Sequence, residues 1–283
     1  MGSLRELWTE IEESGLPAGE YIARAESLRC ETDILNVKAR MRSMLRVFRE
    51  SAQEGVQDRS VSASGLTGGE AWAMSRYQPR FLGQTAWLAA TRGMAIAEAN
   101  AKMRRIVACP TAGSCGILPA VLLTVGEICQ STEEQLVDAL FVAAGVGDVI
   151  AENACIAGAV GGCQAECGTA IAMAAAAGVA LCGGTTEQMD HAVALGLKNV
   201  LGLVCDPVGG LVEVPCVKRN SFHAVHALVA IELALAGVKS VIPADEVIAA
   251  MDEIGKLMPK SLRERSEAGL AVTPTAKART GAN

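Results

Sequence analysis

The sequence predicts an all-α fold, a single helical domain over residues 1–283, on three observations. Apolar residues make up 51% of the chain but aromatics only 3%, so a core must come from Ala, Val, Leu, Ile and Met. Small side chains at that density suit closely packed helices, whereas a sheet sandwich draws on aromatic and β-branched residues. Apolar positions recur at three and four residues, as in Ile34, Val37, Met41, Met44 and Phe48, and no alternating apolar–polar run is present. At 283 residues the chain is long enough to bury a sizeable core.

The elements follow in order. Residues 3–14 read as a short helix closed by Gly15, and Pro17 can open the next. The Ile34–Phe48 stripe is a third helix. Residues 51–69, "SAQEGVQDRSVSASGLTGG", are polar and rich in Gly and Ser, which predicts a long loop. A helical run over 83–106 ends at the irregular "CPTAGSCG", 109–116, and after Pro119 "AVLLTVGEICQ" is helical again. "STEEQ", 131–135, predicts a capping box between Ser131 and Glu134, opening a helix to about 150. Residues 167–186, "CGTAIAMAAAAGVALCGGTT", carry no charge. Ala, Gly and Thr supply little transfer energy, so this run predicts a helix buried by protein on all sides, not a membrane span. Thr186 is the expected cap of "EQMDHAVALGLKNVLGL". Beyond "CDPVGGLVEVPC", 205–216, the segments "SFHAVHALVAIELALAG" and "ADEVIAAMDEIGKLM" complete the helices, and the polar 260–283 is expected to fray.

Composition narrows the partners. A formal charge of −6 offers no electrostatic footprint for nucleic acid and none for an anionic membrane. "MGSLRELWTEIEE" opens as an amphipathic helix and not as a secretory leader, so the expected location is cytoplasmic. Ten cysteines in a reducing compartment are not expected to pair as disulfides. Neither a P-loop nor a strand-to-helix dinucleotide motif is present.

Nine of the ten cysteines fall between 109 and 216, among glycine-rich segments: "SGLTGG" (64–69), "CPTAGSCG", "GGCQAEC" (161–167) and "CDPVGGLVEVPC". Glycine beside Ser or Thr bares backbone N–H groups next to hydroxyls, a nest for a small carboxylate or phosphate. The candidate donors are Ser64, Gly65, Thr67, Gly68, Thr111, Gly113 and Ser114; ordinary turns use the same residue types. Cys163 and Cys167 have zinc-ligand spacing, with Cys205, Cys216, His223 or His226 available to complete a site. Isolated thiolates from distant segments suit an iron–sulfur cluster instead, and three ligands leave one iron open as a Lewis acid. Buried cysteine can also be an inert core residue. The residues alone leave cluster, zinc site and inert core open.

"SGLTGG", "PTAGSCGILPAVL", "ENACIAGAVGGCQAE" and "CDPVGGLVEVPC", in that order, resemble the iron–sulfur-dependent L-serine dehydratases (L-serine ammonia-lyases) over nearly the whole chain. The match is to their catalytic α portion. The resemblance implies a [4Fe-4S] cluster on Cys163, Cys205 and Cys216, so that the bent 205–216 loop brings both its end thiolates to one cluster. It implies conversion of L-serine to pyruvate and ammonia without pyridoxal, the carboxylate resting in the 64–69 and 111–114 nests. The candidate bases are Lys102, Glu152, Glu166, His223 and His226, and a partner chain is another source. Cys109 and Cys167 stand where relatives more usually carry apolar residues, which makes Cys167 a rival ligand. Some single-chain relatives end in a cysteine that covers the open iron; this chain ends "RTGAN". The family's other, α/β half is not in the sequence either, so the resemblance is to the two-chain form with a separate β chain. The competing expectations are a related iron–sulfur lyase acting on cysteine or another small amino or hydroxy acid, and a non-catalytic helical subunit with core or redox-sensing cysteines.

Overall fold

A computed structural model of the chain describes residues 2–281. Its first half runs α1 (Leu4–Ser14), α2 (Ala18–Arg29), α3 (Ile34–Gln57), α4 (Glu70–Arg76), α5 (Gln84–Ala101) and α6 (Ile117–Ile128). The second half runs α7 (Glu133–Asn153), α8 (Gly158–Gly161), α9 (Thr169–Leu181), α10 (Thr186–Lys198), α11 (Cys216–Leu235), α12 (Ala244–Leu257) and α13 (Pro274–Thr280). The all-α expectation holds: among the described residues there is no strand, only an isolated bridge between Cys205 and Arg263.

Helix α9 is the axis of the fold. Every residue from Thr169 to Val179 is buried, and α6, α7, α10 and α11 pack around it. The Gln164–Leu181 run is long and apolar enough to cross a membrane, yet 89% of it is buried inside the protein, which makes it a core helix as expected. Around this layer, α5 lies on α11 and α3, while α1, α2 and α12 cover α7 and α10. Helix α1 shows how an outer element is held. Ser3 Oγ accepts the Glu6 amide at 3.1 Å, Gly15 ends the helix in the left-handed region, and Leu4, Leu7, Trp8 and Ile11 face inward. Each such buried side chain contributes about 1.5–3 kcal/mol. The Leu4 amide also donates to Asp245 Oδ1 at 2.8 Å, joining α1 to α12. One close approach positions the site: a Cβ on Gly116 would stand 2.4 Å from the Gly93 carbonyl oxygen, so the start of α6 can press onto α5 only without a side chain there.

Several boundaries differ from expectation. Helix α3 continues to Gln57, so the loop predicted over 51–69 begins at Asp58. Helix α5 ends at Ala101, short of 106, and α6 begins two residues before Pro119, which falls in its first turn where no intrahelical amide bond is lost. The capping boxes are Thr132 with Gln135 and Thr185 with Gln188, not Ser131 with Glu134 or Thr186. Helix α11 begins at Cys216 itself. The expected frayed tail is ordered through residue 281: two short 3-10 turns and α13 lie against the 205–210 loop. Ser266 Oγ donates to the Pro207 carbonyl at 2.6 Å, and the Leu270 amide to Asp206 Oδ2 at 2.8 Å. Residues 282 and 283 lie outside the described residues.

Candidate active site

The lead-in to α9 departs from a regular helix. Gly162 takes φ 77°, and residues 164–168 form a π-type turn, a local widening often found at functional positions. Its effect is to bring Cys163 Sγ within 3.3 Å of Cys167 Sγ. Gln164, fully buried between them, clamps this turn to its surroundings. Its Nε2 donates to the Met251 carbonyl at 2.8 Å and its Oε1 accepts the Gly202 amide at 2.8 Å.

The 205–216 loop supplies the other thiols. The Cys205 amide donates to the Leu262 carbonyl at 2.9 Å, and the Cys205 carbonyl accepts the Glu264 amide at 2.7 Å, so the ordered tail fixes this cysteine. The loop ends on a cis Val214–Pro215 peptide and Cys216, the first residue of α11. One turn on, Arg219 gathers the pieces: Nη1 donates to the Val204 carbonyl at 2.9 Å, Nη2 to Asp206 Oδ1 at 3.2 Å, and its charge acts on Cys163.

Cys163, Cys167, Cys205 and Cys216 are all buried. Hydrogen bonds from Cys167 and Cys205, with the Arg219 charge, hold the Cys163 thiol well below its ordinary range. Its neighbours move the other way: the bond to Cys163 raises Cys167 and Cys205, and burial pushes Cys216 up to about 12. Among the described residues, no three His, Cys, Asp or Glu side chains converge tightly enough for a single metal ion.

Glu166 lies against this group. Its Oε1 accepts Thr111 Oγ1 at 2.8 Å, it takes the Gly158 amide, and a Cβ on Gly158 would stand 2.6 Å from Oε2 and 3.3 Å from Cys205 Sγ. Burial raises the Glu166 carboxyl to about 7. Thr111 and Ser114 hydroxyls are 3.3 Å apart, and a Cβ on Gly113 would lie 3.3 Å from Glu166 Oε2. The 109–116 loop is therefore part of the same site. It is fixed there by Asn220 of α11, whose Nδ2 donates to the Gly113 carbonyl at 2.8 Å and whose Oδ1 accepts the Gly116 amide at 2.8 Å.

The 64–69 loop is joined to the site through side chains of the 205–216 loop and α11. Ser62 and Ser64 hydroxyls donate to Glu213 Oε2 at 2.6 and 2.8 Å. Lys218 donates to Thr67 Oγ1 at 3.3 Å and pairs with Glu70. In the 64–69 segment, where the sequence suggests a nest, the donors are taken by the protein's own carboxylates. Thr67 Oγ1 and the Gly68 amide bind Glu70 at 3.1 and 2.6 Å, while the Gly69 and Ala71 amides bind the fully buried Glu98 at 3.1 and 3.0 Å. Gly65 lies in the same loop, in the left-handed region.

The five candidate bases separate by position. Glu166 bonds Thr111 of the 109–116 loop and lies in the field of Cys163. His223 is in the field of Cys163, its Nε2 buried with no hydrogen-bond partner among the described residues, and burial lowers it to about 4. His226 bonds the Gly196 carbonyl at 2.9 Å. Lys102 lies under the 64–69 loop, 3.2 Å from Glu98 and 3.5 Å from Asp58, and Glu152 is exposed near the end of α7. Sequence reasoning missed Gln164, Arg219, Asn220 and Glu213, although Gln164 and Glu213 stand inside the quoted motifs.

The family model described as "Serine dehydratase alpha chain" matches residues 13–271. The chain belongs to this family. Its relatives include a "Probable L-serine dehydratase, alpha chain" of Bacillus subtilis, 50% identical over 236 residues, covering 82% of this chain and 78% of the relative. The "L-serine dehydratase, alpha chain" of Peptoniphilus asaccharolyticus is 38% identical over 97% of this chain and 95% of its own length. "L-serine dehydratase 1" of Escherichia coli is 42% identical over 63% of this chain, but the match spans 40% of that longer protein. Family membership thus extends well beyond the four motifs, through nearly all the helices that position the thiols.

Proposed function

We propose that this chain is the catalytic α chain of an iron–sulfur-dependent L-serine ammonia-lyase, converting L-serine to pyruvate and ammonia. The observation that carries the reading is the meeting of buried Cys163, Cys205 and Cys216 with Glu166 and the 109–116 loop, in a family whose relatives are named for serine dehydration. The donor set fits the cofactor. Soft thiols from the head of α9 and from both ends of the 205–216 loop, with an arginine beside the most acidic of them, suit an iron–sulfur cluster and not a hard cation. Cys163, Cys205 and Cys216 would hold a [4Fe-4S] cluster, with Cys167 as the rival to Cys163. Such a cluster, when bound, supplies Lewis-acid assistance to departure of the substrate hydroxyl.

The chain's own residues supply the rest. Gly113, Ser114 and the Thr111 backbone receive the serine carboxylate, the Thr111 hydroxyl being engaged by Glu166. The 64–69 loop, whose Ser64, Thr67 and Gly68 donors are taken by Glu213 and Glu70, supports this loop through Glu213 and Lys218 rather than binding the substrate. Glu166 Oε2 faces the same space and takes the α-proton, with Thr111 holding Oε1 and so aiming the carboxylate. Loss of the α-proton and the β-hydroxyl gives aminoacrylate and water; its imine tautomer then takes up water to give pyruvate and ammonia. Arg219 keeps Cys163 charged and oriented. The working protein is cytoplasmic and includes a separate β chain; neither nucleic acid nor membrane takes part.

The test is anaerobic reconstitution with iron and sulfide, with and without a β chain, followed by assay against L-serine, L-cysteine and small hydroxy acids. Equal yields of pyruvate and ammonia from L-serine, lost in Glu166→Gln, are expected. Preference for L-cysteine would assign a related lyase, and absence of turnover with an intact cluster would assign a non-catalytic subunit.

A further inference from the structure

Two cysteines far from the candidate site stand together at the surface. Cys129 closes the C-terminal end of α6 and Cys182 that of α9. Both are exposed, both are free thiols, and their sulfurs are 3.6 Å apart, in contact but unbonded. Each is followed by a residue in the left-handed region, Gln130 (φ 52°) and Gly183 (φ 72°), where the chain has already left the helix. Closing the remaining gap to disulfide length therefore requires small side-chain and cap adjustments, not movement of a helix axis.

From this pair we infer a reversible redox modification site: Cys129 and Cys182 form a disulfide by exchange with a small-molecule disulfide, stapling α6 to α9. The step balances with that co-reactant. Cys129, as thiolate, attacks one sulfur of the small disulfide, whose S–S bond breaks to release one small thiol. Cys182 then attacks the Cys129 sulfur of the mixed disulfide, the Cys129–Cys182 bond forms, and the second small thiol leaves with the Cys182 proton. Two protein thiols are oxidised and one small disulfide is reduced to two thiols. Burial and the Cys129 contact push the Cys182 thiol up to about 12, which leaves the first attack to Cys129; once Cys129 is a mixed disulfide its thiol no longer raises Cys182, and the second attack gains from being intramolecular.

The staple is distant from the chemistry but not disconnected from it. Helix α6 begins where the 109–116 loop ends, and α9 follows the turn that carries Cys163 and Cys167. The same two helices thus present the candidate site at their N-terminal ends and the thiol pair at their C-terminal ends. Cys30, exposed and hydrogen-bonded only to Glu26 at 3.0 Å, is a built-in control without a neighbouring thiol.

The experiment equilibrates the full-length chain, under nitrogen, with oxidised and reduced glutathione in varied ratio. Peptide mass spectrometry and thermal unfolding are read on each sample. Expected are a Cys129–Cys182 cross-linked peptide, a mixed disulfide on Cys30, reversal by dithiothreitol, and a rise in unfolding temperature of about 5–10 °C in the cross-linked form. Cys129→Ser and Cys182→Ser should each abolish the cross-link and the rise, leaving glutathione on the remaining cysteine. Recovery of Cys129 and Cys182 as two separate mixed disulfides in the unaltered chain would overturn the inference. So would a cross-linked chain that melts at the same temperature as the reduced one.

Discussion

Asn220 offers the sharpest single perturbation of the arrangement that holds the 109–116 loop. It is 1% exposed, and its amide makes three bonds: to the carbonyls of Gly113 and Cys216 at 2.8 and 2.9 Å, and from the Gly116 amide at 2.8 Å. Asn220→Ala strips the side-chain partner from the Gly113 carbonyl and the Gly116 amide. Each stranded buried group costs about 1–3 kcal/mol, so the loss of stability should be roughly 2–6 kcal/mol. Asn220→Asp keeps an acceptor for Gly116 but turns an oxygen toward the Gly113 carbonyl, and should be destabilising as well. Urea unfolding of the reduced, metal-free chain measures this as a lower midpoint at unchanged slope. Hydrogen exchange should show the Gly116 amide losing protection ahead of the α9 core. A loss below about 1 kcal/mol, with Gly116 still protected, would refute the assignment of Asn220 as the tie between α11 and the loop.

Three further outcomes follow from the geometry. Burial, reinforced by Glu70, raises the Glu98 carboxyl to about 7, so its contribution to stability is fully present below pH 4.5 and is lost as pH rises through 7. At roughly 1.4 kcal/mol per unit this amounts to at most about 3 kcal/mol, and Glu98→Gln should flatten that fall in denaturation profiles between pH 4.5 and 8; an unchanged slope would place the proton elsewhere. Gly158→Ala puts a methyl 2.6 Å from Glu166 Oε2 and should cut turnover at least about tenfold while costing only about 1–3 kcal/mol of stability, so wild-type kinetics would remove Glu166 from the reaction. Deleting residues from Lys260 onward removes the Leu262 and Glu264 backbone partners of Cys205 and should speed its alkylation in the metal-free chain, whereas deletion after Thr273 should not; equal rates would show that the tail does not fix Cys205.

What could be read from the sequence, and what could not, divides along physical lines. The helices announce themselves where one face is apolar over several turns, and α9 does so by carrying no charge at all. The end of α3 was misread because Gly55 looks like a loop residue. It is glycine because a Cβ there would stand 2.4 Å from the Ala95 carbonyl oxygen of α5. The two caps slipped by one residue because Ser131–Thr132 and Thr185–Thr186 each offer adjacent hydroxyls, and only the backbone decides which one caps. The cysteines of the candidate site stand in irregular, glycine- and proline-rich segments, which marks them as unusual, but the choice of Cys163, Cys205 and Cys216 came from the family resemblance. Arg219 and Asn220 gave none, since a polar residue early in an amphipathic helix looks like a solvated face until the loops it holds are in place. The docking of the tail onto Cys205 and Asp206 was equally hidden, because the tail meets them with backbone groups that any sequence possesses.

The most direct measurement is iron and sulfide content, with the visible absorption and electron paramagnetic resonance spectra, of the anaerobically reconstituted chain and its single Cys→Ser variants. The unaltered chain should bind iron and sulfide in equal amounts, and Cys163→Ser, Cys205→Ser and Cys216→Ser should each lose the cluster signature while Cys129→Ser keeps it. If Cys167→Ser loses the cluster and Cys163→Ser retains it, the ligand moves one turn along the chain. If all three expected ligands can be replaced without loss of iron or spectrum, the thiols at the head of α9 and the ends of the 205–216 loop do not hold a cluster, and the proposed chemistry fails with them.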